Sequence, residues 1–168
     1  MPPKLRGKWA LGIRPRHFTW ILQDKLAICE RPGGYGENHR RVRRQEEIIW
    51  LRENGFSYVI SIIQASSNLH NYEELNMPYR HRPFRDDGRD AWLKAFYTEV
   101  HELLRTGNKI VVHGEELGDR IVGIMGGYIR WAGLIDDPTK AIEMTERLTH
   151  RKLDPWARDV VMAAATLR

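Results

Sequence analysis

Two short runs, "SYVISII" at 57–63 and "KIVVH" at 109–113, are apolar and β-branched on both faces. A strand of that kind must be covered above and below, as the central strands of a parallel sheet are. Longer stretches with helical spacing separate and follow these runs. The alternation predicts an α/β fold, a mainly parallel central sheet flanked by helices. No internal repeat interrupts it, and 168 residues suit one core. With 42% apolar and 29% charged residues, disordered and collagen-like compositions are excluded.

The remaining elements follow from local signals. "WILQDKLAICE" predicts a hairpin, Trp20 to Gln23 and Leu26 to Glu30, turning at Asp24 and Lys25; "YRHRPF" (79–84) predicts a more polar strand. Val42, Ile48, Ile49 and Leu51 suggest an amphipathic helix from about Asn38 to Asn54, closed by Gly55. A second helical period runs from Asp90 to Arg105 through Leu93, Phe96, Val100, Leu103 and Leu104. After "KIVVH", the segment 120–133 predicts a helix whose Gly123, Gly126 and Gly127 are costly unless they let it lie close to the sheet. Asp137-Pro138 and Asp154-Pro155 each read as an N-cap with proline at the first helical position, opening helices at 137–149 and 155–167.

The net charge of +5 is uneven. Residues 1–52 hold 12 basic and 5 acidic side chains, residues 53–168 hold 15 and 17, so the whole excess lies in the first third. Arg40, Arg41, Arg43 and Arg44 form its densest run; with Arg31 they suggest a positive rim for a phosphorylated or otherwise anionic partner, and Tyr35 and His39 interleave as in a single-stranded RNA binder. No RNA-binding motif accompanies the run, and Trp9, Trp50, Trp92, Trp131 and Trp156 are expected in cores. No apolar run spans a bilayer, no secretory leader opens the chain, and Cys29 is the single cysteine, which suggests a buried structural thiol and a reducing cytoplasm. The histidines show no metal spacing, and no cofactor motif is present.

One segment concentrates chemistry. A loop that leaves a parallel strand and enters a helix aims backbone N–H groups at one point, backed by the positive end of the helix dipole. "HGEELGDR" is such a loop, with His113 at the strand end and Arg120 at the helix start, seven positions apart. In this setting it resembles the HCxxxxxR signature of cysteine-dependent tyrosine and dual-specificity phosphatases. "HFTWILQDKLAICERP" is similar to the N-terminal strand and hairpin of the small atypical dual-specificity members, and "GFSYVISI" to their central strand. Pro83 to Asp86 resembles the loop carrying their general acid, with Asp86 28 residues before Gly114. The resemblance covers residues 17–167. It implies a dual-specificity phosphatase-like domain over 17–168 after a basic extension at 1–16, and a phosphate-binding loop made of His113, Gly114, Glu115, Glu116, Leu117, Gly118, Asp119 and Arg120. In that family a thiolate attacks phosphorus, the loop amides and the arginine hold the oxygens, and an aspartate protonates the leaving group.

The nucleophile position here is Gly114. Loss of a nucleophile removes on the order of 10⁶ in rate, about 8 kcal/mol. Leu117 fills a usual glycine position, Ile121 replaces the hydroxyl residue after the arginine, and Glu115, Glu116 and Asp119 add carboxylates. One carboxylate ~6 Å from a phosphate charge costs about 3 kcal/mol at an effective dielectric near 20, unless it points outward. Asp119 is expected to engage Arg120, and Asp86, Asp87 and Asp90 are the acid candidates, with turn or N-cap roles as their alternative.

A glycine at 114 fits natural loss of the nucleophile, its engineered removal, or other chemistry on the scaffold. The companion differences at 115, 116, 117, 119 and 121 favour the first. Three functional readings follow: an inactive pseudophosphatase that binds an anionic partner, an enzyme with an altered nucleophile or non-thiol chemistry, and a polyanion-binding module using the basic run.

Overall fold

The computed structural model describes residues 11–34, 41–66 and 68–168. In chain order the elements are β1 (Thr19–Leu22), β2 (Leu26–Cys29), α1 (Arg41–Glu53), β3 (Tyr58–Ser61), α2 (His70–Glu74), β4 (Tyr79–His81), α3 (Arg89–Arg105), β5 (Ile110–His113), α4 (Asp119–Trp131), α5 (Pro138–Thr149) and α6 (Pro155–Ala164), closed by a 3₁₀ turn, Ala165–Leu167. The five strands form one sheet in the order β1-β2-β5-β3-β4. β1 pairs antiparallel with β2, and every other pairing is parallel.

Side-chain alternation divides the core between the two faces of the sheet. Leu26, Ile28, Ile60, Ile110 and Val112 join the larger cluster with residues of α3 to α6, whereas Ala27, Cys29, Val59 and Val111 join a smaller one with α1 and Tyr72 of α2. Trp92, Trp131 and Trp156 pack against the first cluster, Trp20 and Trp50 against the second. Trp9 lies outside the described residues. β5 occupies the centre, and its register sets His113 opposite both Cys29 and Ser61, so three strand ends open onto one edge. The strand expected at 79–84 ends at His81. The chain still follows β3, through Arg82 N to Ser61 O at 2.8 Å and Phe84 N to Ile62 O at 2.9 Å, which brings Phe84 and Asp86 to the same edge.

Both proline-led helices are capped as expected, Asp137 accepting from Lys140 N at 2.9 Å and Asp154 from Ala157 N at 2.8 Å. α1 differs in phase. Val42 is 65% exposed, while Arg44, Glu47, Ile48 and Leu51 face inward. At about 100° per residue, six positions set Val42 about 240° around the helix from Ile48. The three residues expected to begin this helix, at 38–40, lie outside the described residues.

The glycines of α4 serve helix packing rather than a close approach to the sheet. A Cβ on Gly123 would sit 2.8 Å from the Ala157 Cα of α6, and one on Gly126 3.0 Å from Thr145 Oγ1 of α5. Gly127 faces the Tyr97 hydroxyl of α3, which donates to Ile124 O at 2.7 Å. Gly123→Ala, opposed by backbone that must move, is therefore expected to destabilise the fold by about 1–3 kcal/mol, as overpacking does, measured as a lower urea midpoint. No helix among the described residues is long and apolar enough to cross a membrane.

Candidate anion-binding site

The chain leaves β5 at His113 and turns through Gly114–Gly118 into α4. Gly118 is the extended N-cap residue, and its carbonyl accepts from Val122 N at 3.2 Å. His113 is 2% exposed. Its Nδ1 lies 2.9 Å from Gly114 O, which can only accept, so Nδ1 carries the proton and Nε2 accepts from the Tyr72 hydroxyl at 3.1 Å. Burial lowers the imidazole pKa to about 4, opposed by the bond to Gly114 O and aided by the nearby Arg31 and His81. His113 is thus a neutral buried strut for the loop, in line with a structural role.

A Cβ on Gly114 would meet only Glu116 O at 3.5 Å and Ile62 Cγ1 at 4.0 Å, which are ordinary contacts. Gly114 is also absent from the positive-φ residues. Neither space nor backbone conformation calls for glycine there. The one thiol, Cys29, is fully buried on the far face of the sheet, where burial and then the charges of Glu47 and Glu30 raise its pKa, so it supplies no thiolate to this loop.

The loop borders a cleft of about 380 Å³ between Ile62–Gln64, Phe84 and the start of α4. Arg120 stands at its mouth. The guanidinium carbon lies 4.6 Å from the Trp156 ring centroid, and Nη1 donates to Asp86. Asp86 also accepts from Trp156 Nε1 at 3.2 Å. Arg120 holds the Asp86 carboxyl below its usual range. The acid candidate with the best sequence placement therefore reaches the cleft as an ionised partner of Arg120. Asp87 is exposed, and Asp90 pairs with Arg89 at 3.1 Å in the first turn of α3, away from the loop.

Asp119 does not engage Arg120 as expected. It pairs with Arg151 at 3.2 Å, and the same guanidinium donates to Leu117 O at 2.8 Å. Glu115 pairs with Arg31 at 3.2 Å. Two of the three loop carboxylates are thus neutralised locally, while Glu116 folds across Gly118, its Oε1 3.2 Å from where a Cβ of that glycine would be. Sequence reasoning missed Arg151 and the part played by Trp156. The first follows the left-handed His150 that ends α5, and nothing in its surroundings points to the loop 34 residues earlier.

Among the described residues the basic run does not form one rim. Arg41 is exposed and lies 4.0 Å from Glu74, Arg43 pairs with Glu47 at 3.0 Å, and Arg44 is only 8% exposed. Arg31 is turned to the loop through Glu115. Tyr35, His39 and Arg40 lie outside the described residues. Among the described residues no group of three or more histidine, cysteine, aspartate or glutamate side chains is placed to hold a metal ion.

No family model and no curated protein sequence matches the chain. Solved structures do. A kinase-associated phosphatase with serine in place of its catalytic cysteine superposes with a TM-score of 0.70 at 17% identity, over 92% of this chain and 93% of that one. Tk-PTP in its active form gives 0.67 at 14% identity, over 87% and 93%. The core catalytic domain of the PP-IP phosphatase Siw14 from S. cerevisiae, in complex with citrate, gives 0.64 at 14%, over 90% and 87%. The chain has the fold of the dual-specificity and tyrosine phosphatases, a five-stranded mixed sheet flanked by helices.

Proposed function

We propose that this phosphatase-fold protein binds a phosphorylated or otherwise anionic partner in the cleft at Arg120 and does not hydrolyse it by thiol chemistry. The observation that carries the reading is the Arg120–Asp86 pair. An arginine stacked on Trp156 at the start of α4 already holds a carboxylate at the mouth of the cleft, so an incoming anion takes over an arrangement the protein makes for itself. Gly114 at the nucleophile position and Cys29 in the opposite core support the second half of the reading. The single buried cysteine also accords with a reducing cytoplasm.

The enzyme reading draws on Asp86 or the loop carboxylates, and of the latter Glu115 is paired with Arg31 and Asp119 with Arg151; Asp86 is the candidate proton donor. Its pairing with Arg120 favours the ionised form, so at neutral pH it has no proton to give. The polyanion reading requires a continuous basic surface, and Arg43 is paired with Glu47 while Arg44 is buried.

Titration calorimetry with a phosphopeptide, an inositol phosphate and a short RNA, each at low and raised salt, tests the proposal. Arg120→Met is expected to weaken binding of the phosphorylated ligand by about 1.5–3 kcal/mol, roughly 10- to 150-fold, and the loss should persist at raised salt. Combined replacement of Arg40, Arg41 and Arg43 by glutamine should change mainly the salt dependence, as loss of long-range attraction that salt screens beyond ~10 Å at 0.1 M does. RNA binding abolished by the second variant and untouched by the first would replace this reading with the polyanion one.

Asp86→Asn gives a second check. Removing the internal carboxylate frees Arg120, and an exposed ion pair is worth about 0–1 kcal/mol, so anion affinity should rise by up to about fivefold. Weaker binding by Asp86→Asn would show that the carboxylate helps to hold the ligand instead of competing with it.

A further inference from the structure

Arg44 was expected on the surface and is folded inward beneath the strand ends. It lies in the first turn of α1, and its Nε and Nη1 are fully buried without a hydrogen-bond partner among the described residues. Ser61 Oγ, at the end of β3, is buried and unpartnered in the same way. Both line one small cavity whose wall also includes Tyr72 and His113. Arg44 and Ser61, each with buried polar atoms that lack a partner, therefore border the same small recess.

Charge decides what that space suits. A guanidinium stays protonated in proteins, and a buried ion without a counter-ion costs several kcal/mol. Burial and then the charges of Arg31 and Arg41 disfavour the Arg44 guanidinium, and the Glu74 carboxylate offsets them only in part. The carboxylates on the surrounding elements are committed elsewhere. Glu47 accepts from Gly33 N and Arg43, Glu74 accepts from Asn71 Nδ2 at 3.2 Å and lies 4.0 Å from Arg41, and Glu30 lies 3.7 Å from His17. The Tyr72 proton is donated to His113. A water molecule would satisfy the donors but leave the positive charge, whereas a small anion does both. The cavity offers about 10 Å³, room for the centre of one water-sized sphere and too little for a tetrahedral oxyanion.

We propose that Arg44 and Ser61 form a binding site for a monoatomic anion, chloride in the cell, in the recess behind the loop that carries His113. The site is separate from the Arg120 cleft and does not depend on the reading given to that cleft. Its occupant sits against the Tyr72–His113 pair, the same pair that holds Gly114 O, so anion binding braces the loop from behind.

The test uses the full chain. Melting temperature is followed while potassium chloride replaces potassium gluconate at constant ionic strength, and crystals grown in sodium bromide are examined for anomalous scattering. Melting should rise with chloride and level off, as mass action at a single site requires, and a bromide peak should lie between Arg44 and Ser61. Ser61→Ala, which removes one donor without stranding a charge, should raise the chloride concentration at half effect about five- to tenfold. Arg44→Met should abolish the chloride increment. If that variant does not fold, the Ser61→Ala shift and the bromide peak decide the matter. Indifference to chloride, an unshifted midpoint in Ser61→Ala, or bromide only at other places would each overturn the proposal.

Discussion

The wild-type protein is expected to leave an aryl phosphate at background turnover, and Gly114→Cys is expected to restore little of the missing rate. The first half follows from the nucleophile. No thiolate can form at Gly114, Cys29 is sealed in the core on the other side of the sheet, and loss of such a group removes on the order of 10⁶ in rate. Alkylating Cys29 in the folded protein should accordingly change nothing. The second half follows from the surroundings of position 114. A Cβ at 114 meets only ordinary contacts and the backbone there is not left-handed, so the variant should fold and a failure to turn over would be chemical. An incoming phosphate takes Arg120 from Asp86, but the ionised Asp86 has no proton at neutral pH for the leaving oxygen, and Glu116 across Gly118 keeps a further negative charge at the loop. Ile121, in place of a hydroxyl, is buried in the main core, and Leu117 packs on that core with its carbonyl tied to Arg151. Steady-state hydrolysis with and without vanadate is the measurement. Vanadate-sensitive turnover by the wild type would defeat the inactive reading, and strong turnover by Gly114→Cys would show that only the nucleophile was missing.

What the sequence made legible was local. The β-branched runs at 57–63 and 109–113 became β3 and β5, and both Asp-Pro caps hold their helices as their chemistry requires. The loop from His113 to Arg120 was legible because strand, turn and helix are contiguous. Pairings across the fold were not. Arg120 has Asp119 beside it in sequence and Asp86 beside it in space, because the main-chain bonds of Arg82 and Phe84 to β3 carry Asp86 to the cleft. Arg151 reaches Leu117 and Asp119 only through the way α5 packs. The basic run misled for another reason. Charge composition reports how many arginines there are, but the phase of α1 decides that Val42 faces solvent and Arg44 the interior.

Acid should weaken the fold through His113 by about 3 kcal/mol. The imidazole is neutral and fully enclosed, with a pKa of about 4 in the folded chain against an ordinary value of 6.5. Between these two values the unfolded chain binds a proton that the folded chain refuses, so stability rises with pH across this window. Read downward, the full contribution is present above pH 6.5, is lost as pH falls toward 4, and changes no further below that. The separation of the two pKa values sets the size, at about 1.4 kcal/mol for each pH unit. Carboxylates with depressed pKa values, Asp86 and Glu102, weaken the fold over a more acidic range, so the His113 effect is best isolated by difference. His113→Asn keeps a short polar side chain with no titration in this window. Urea unfolding of both proteins at pH 7.5, 5.5 and 4.5 should show the wild type losing its lead over the variant as pH falls. Parallel losses in the two proteins would mean that the His113 ring accepts a proton in the folded chain as readily as in the unfolded one, and the strut between Tyr72 and Gly114 would then have to admit a charge.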